Sequence, residues 1–137
     1  MRTTIITLAL LLSATFVNAE GLNANGNYIK TKYPTEYKET LRHYAVLQWK
    51  DDFSMVVYEI NTQADSLVKL VDGFKSENTS IAHKAIQQWS KDGHAIKNNK
   101  LFDQMKTFGL KDLLKMHCDW SMVKYEYDLQ VKAKNSF

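Results

Sequence analysis

The residues best suited to chemistry come in two matching sets. Glu59 and Gln63 stand four positions apart, and so do Glu126 and Gln130. On a helix that spacing puts both side chains of a set on one face. Met55 and Met122 stand four positions before each Glu, and Tyr58 and Tyr125 immediately before it. Inward carboxylates with thioethers beside them suit a metal, a haem or a small polar ligand held in a helical bundle. Two such carboxylates in proximity would share a proton.

Both sets belong to a longer repeat. Residues 52–64 and 119–131 share Asp, Ser, Met, Val, Tyr, Glu and Gln at seven equivalent places of thirteen, and Phe53 is replaced by Trp120. At about 100° per residue, Asp52, Met55, Val56, Glu59 and Gln63 fall on one flank of an apolar stripe. Asp119, Met122, Val123, Glu126 and Gln130 fall on the same flank of the second copy. An amphipathic helix does not require the same polar residues twice. Two readings explain them: a ligand site, or a Glu–Gln ladder closing a polar seam between two packed helices. Buried amides and carboxylates must find partners, and a ladder would supply them.

Specific catalytic and metal patterns are absent from the sequence. A di-metal bundle needs paired Glu-x-x-His elements. None of His43, His83, His94 or His117 has a Glu three places before it. His117 and Cys118 are adjacent, so on a helix their side chains diverge by about 100°. Ser54 and Ser121 lie inside predicted helices, without the sharp elbow of a nucleophilic serine. No glycine-rich phosphate loop is present. The sequence therefore assigns no catalytic residue, no metal ligand and no cofactor.

The elements that position the repeat read as helices throughout. Pro34 opens a first helix over about 35–72, with Thr35 as cap. The polar step Lys50-Asp51-Asp52 marks a break, with an Asp capping a new helix. A second helix covers about 80–91 and ends at Asp92-Gly93, a third covers about 98–107, and the last covers about 110–133. The expected fold is all-α: a four-helix-bundle-like single domain of two long and two short helices, with internal pseudo-symmetry. The domain spans 35–137, and the Gly- and Asn-rich residues 20–34 form a flexible N-terminal arm.

Residues 1–19 read as a secretory signal peptide. Arg2 gives the basic start, residues 5–12 the apolar run, and Val17-Asn18-Ala19 the small-x-small cleavage pattern. The run is too short for a transmembrane span. Export places the protein in the periplasm or outside the cell. Cys118 stands alone, so the core must hold by packing rather than by an intrachain disulfide. Asn78-Thr79-Ser80 matches the glycosylation acceptor pattern.

A net charge of +3, with acidic and basic residues interspersed, argues against a nucleic-acid partner. Aromatic residues make up 12%, high for a small helical domain, and Tyr and Trp favour protein interfaces. The expectation is an exported, non-enzymatic helical protein that binds another protein, as an inhibitor, immunity factor or chaperone does. The alternative is a bundle that binds a small ligand, haem or metal. The candidate binding residues are Tyr58 and Tyr125 for a protein partner, and Glu59, Gln63, Glu126, Gln130, Met55 and Met122 for a ligand.

Overall fold

The computed structural model describes residues 21–91 and 109–137. These residues form an all-α fold, with no strand among them. In chain order the helices are α1 (Ala24–Lys32), α2 (Pro34–Glu36), a π-helical stretch (Tyr37–Arg42) and α3 (His43–Trp49). Then come α4 (Phe53–Gly73), a 3-10 turn (Ser76–Asn78), α5 (Thr79–Gln88), α6 (Leu110–Leu114) and α7 (Trp120–Asn135).

α4 is the axis of the molecule. Val56, Ile60, Ala64, Leu67 and Leu70 bury one face of it. That face packs on α7, while α1 and α3 cover its other sides. α7 contributes Trp120, Val123 and Tyr127, α5 contributes Ala82, Ala85 and Ile86, and α6 contributes Leu113 and Leu114. Each large aliphatic or aromatic side chain so buried stabilises the fold by about 1.5–3 kcal/mol.

The two long helices start in the same way. Asp52 accepts the backbone N–H of Met55 at 3.3 Å, and Asp119 accepts that of Met122 at 3.4 Å. Each Asp also accepts the hydroxyl of the Ser two residues on, Ser54 at 3.0 Å and Ser121 at 2.8 Å. The repeated Asp-x-Ser-Met is thus a helix N-cap written twice.

The break at Lys50-Asp51 is sharp. Lys50 has φ 53° and ψ −113°. The N–H of Asp52 donates to the carbonyl of Trp49 at 3.0 Å, which closes a type II′-like turn. The first position of that turn favours glycine, so Lys50 holds strained backbone. Upstream, Thr40 Oγ1 donates to Glu36 O at 2.6 Å within the π-helical stretch.

Several expected boundaries change. The arm at 20–34 is not a loose tail, because 24–32 form α1. Asn23 caps α1 by accepting the N–H of Gly26 at 2.8 Å. Its amide donates to both Asp65 oxygens at 3.0 Å, and its backbone N–H donates to Asn61 Oδ1 at 2.9 Å. Asn25 adds a bond to Asp65 at 2.9 Å. A Cβ on Gly26 would lie 3.1 Å from Asn61 Oδ1, so the close approach of α1 to α4 favours glycine there. The helix at Pro34 begins after Tyr33 rather than at a Thr35 cap.

The last helix is two helices. α6 ends at Leu114, Lys115 and Met116 turn the chain, and residues 117–119 pass the end of α5 before Asp119 caps α7. There Ser90 and Cys118 form an isolated antiparallel bridge. The N–H of Lys91 donates to His117 O at 2.5 Å, and that of Asp119 donates to Trp89 O at 3.0 Å. The chain cannot be helical where it makes this bridge. The second helix is shorter than expected and ends at Gln88. The Asp92-Gly93 stop, His94, the third helix at 98–107 and the signal peptide lie outside the described residues. No helix among the described residues is long and apolar enough to cross a membrane.

Candidate functional site

The repeated Glu and Gln make the same local bond in both copies. Gln63 Nε2 donates to Glu59 Oε2 at 2.8 Å, and Gln130 Nε2 donates to Glu126 Oε2 at 2.8 Å. The i, i+4 spacing explains both. Beyond that bond the copies part. Gln63 is 5% exposed, whereas Gln130 lies on the surface.

Gln63 spends its buried amide on the start of α7. Its Nε2 also donates to Asp119 Oδ1 at 2.9 Å, and its Oε1 accepts the backbone N–H of Trp120 at 2.5 Å. That N–H is the first of α7, one of the groups a helix cannot satisfy internally. Glu59 completes the cluster by accepting Trp49 Nε1 at 3.4 Å. The polar seam therefore joins the middle of α4 to the N-terminus of α7, not Glu59 to Glu126 across two helix faces. The two carboxylates each hold their own Gln.

The electrostatics follow from this arrangement. Burial alone would raise the pKa of Asp119. Hydrogen bonds from Gln63, Ser121 and the Met122 amide, with the positive charge of Lys91, outweigh it and hold the carboxyl below the usual range. Cys118, one residue before, is 5% exposed, with its thiol directed at Ile86 O at 3.8 Å. Burial pushes that thiol up to about 12. Such a sulfur is a small apolar packing group, not a nucleophile.

The remaining members of the repeat sit outside the cluster. Met55 and Met122 are half-buried. Tyr58 is 61% exposed on α4 and Tyr125 59% exposed on α7. Leu129, one turn beyond Tyr125, is also exposed. Among the described residues no three His, Cys, Asp or Glu side chains converge on a point that would hold a metal. The α5–α7 junction instead carries an open groove of about 290 Å³, lined by Ile81, Lys84, Ala85, Gln88, Glu126 and Gln130.

Sequence reasoning missed three features. The Asn23–Asn61–Asp65 network was signalled only by Asn61 and Asp65 standing four apart on the outer flank of α4. The contact of Tyr44 Oη with His117 Nδ1 at 3.1 Å, with Lys91 Nζ 4.5 Å from the Tyr44 ring centre, joins distant segments and has no local signal. Asn78 is 5% exposed, and its amide donates to Tyr127 Oη at 3.4 Å, so the folded domain buries the nitrogen a glycan would occupy. Compared with known proteins, the chain matches no family model, no curated protein and no solved structure.

Proposed function

We propose that this is an exported helical protein that works by binding another protein, and that Tyr58 and Tyr125 are its anchors. The observation that supports this reading is the exposure of the two tyrosines. They are equivalent in the repeat, they project from two well-packed helices, and neither is needed to fill the core. A tyrosine on a rigid helix offers a large contact area at small entropic cost, which is why it recurs as an interface anchor. Leu129 widens the apolar stripe beside Tyr125. The Glu59–Gln63 cluster, by contrast, is accounted for by its bonds to Trp49, Asp119 and Trp120. The leader-like residues 1–19 support a periplasmic or extracellular site of action.

The test is a Tyr58→Ala, Tyr125→Ala double variant, expressed from the full chain in its own secretory compartment. The reading expects a stoichiometric protein partner on the wild type, loss of that partner from the variant, and an unchanged melting temperature. Retention of the same partner by the folded variant would overturn it.

A further inference from the structure

One intramolecular contact on this molecule has a second, open pair of halves. In the closed contact, the start of α7 docks on Gln63. Trp120 is 1% exposed there, its N–H donates to Gln63 Oε1, and Gln63 Nε2 donates to the capping Asp119. The repeat supplies each of these parts again. Phe53 stands in the place of Trp120, Asp52 in that of Asp119, and Gln130 in that of Gln63.

In the second set the side chains of Asp52 and Gln130 bond only within their own helices, and Phe53 is open to solvent. Phe53 is 73% exposed at the start of α4. Its N–H lies beyond the reach of any intrahelical acceptor. Gln130 is exposed and is held by Glu126 in the same bond, at the same 2.8 Å, that poises Gln63. Beside Gln130 lies the open α5–α7 groove, with Ile81 and Ala85 as its apolar lining. The charges also match. The groove carries Lys84 and Glu126, and the start of α4 carries Lys50, Asp51 and Asp52.

We propose that the start of α4 docks in the α5–α7 groove of a second copy of this chain. Phe53 enters beside Ile81 and Ala85, its N–H donates to Gln130 Oε1, and Gln130 Nε2 donates to Asp52. The contact repeats between molecules what Trp120 and Gln63 make within one. It is independent of Tyr58 and Tyr125, which lie on other helix faces. A two-fold arrangement makes the contact twice and closes as a dimer.

Sedimentation equilibrium on protein purified after expression of the full chain tests this. The expected result is concentration-dependent self-association, weakened about tenfold or more by either Phe53→Ala or Gln130→Ala. Both residues are exposed, so neither variant loses its fold, and thermal melting checks that. An equimolar mixture of the two variants associates better than either alone, because each brings one intact half. A wild type that stays monomeric at millimolar concentration overturns the proposal. So does association that both variants preserve, or a mixture no stronger than its components.

Discussion

Gln63 accepts the backbone N–H of Trp120 at 2.5 Å across 57 residues of sequence. With its second bond, to Asp119 at 2.9 Å, one buried amide locks the first copy of the repeat to the start of the second. The bond is strong because each partner has no alternative: Gln63 is sealed from water, and the first N–H of a helix has no internal acceptor.

Replacing Gln63 should therefore cost much more than replacing its repeat mate. Gln63→Ala strands the Trp120 N–H and removes a partner of Asp119, with an expected loss of about 2–3 kcal/mol. Gln130→Ala, on the surface, should change stability by less than about 0.5 kcal/mol. Urea unfolding of both variants at low protein concentration measures the difference. Equal losses would contradict the asymmetry.

Asp119 makes the fold sensitive to acid. Its folded pKa lies below the ordinary Asp value of about 3.9. Its contribution is therefore complete above that ordinary value and is lost as pH falls through the folded one. Asp119→Asn should be less stable than wild type at neutral pH and should flatten the loss of stability below about pH 4. Melting temperatures from pH 2 to 7 test both parts.

Cys118 acts in the opposite direction. Its folded value, pushed up to about 12, exceeds that of a free thiol. The stability it confers is complete below the free-thiol value of about 8.5 and is lost as pH rises from there toward 12. In native protein at pH 8 it should resist iodoacetamide for hours and react within minutes in denaturant. Rapid native labelling, read by mass spectrometry, would contradict the burial.

Lys50 offers a gain. Its positive φ is costly for a side chain with a Cβ, and glycine removes the cost. Lys50→Gly should raise stability by about 1 kcal/mol, seen as a higher urea midpoint with an unchanged slope. A loss would mean that the turn favours Lys for another reason.

The sequence made the all-α class legible because α4 and α5 show the helical period clearly, with Val56, Ile60, Ala64 and Leu67 on one bearing. An Asp cap at the Lys50-Asp51-Asp52 step was legible for the same local reason, and the fold assigns it to Asp52. What escaped was set by contacts distant in sequence. The repeat alone does not say that Gln63 is buried and Gln130 exposed, since each stands four residues after a repeated Glu. The difference lies in what covers them, α7's first turn in one case and an open groove in the other. The non-helical step at 117–119 is imposed by pairing with residues 89–91 and runs against the helical pattern on either side. The ordering of α1 depends on Asn61 and Asp65, about forty positions away. Tyr58 and Tyr125 were legible as repeated, and the fold places both on the surface.

The most direct test of the proposed function is native mass spectrometry of untagged protein purified from its natural source. The expected result is a stoichiometric complex with a different polypeptide, reduced to the chain and its self-associated forms when Tyr58 and Tyr125 are both replaced by Ala. A chain that carries only a small-molecule or metal adduct, or the same foreign polypeptide bound equally to the double variant, would contradict it.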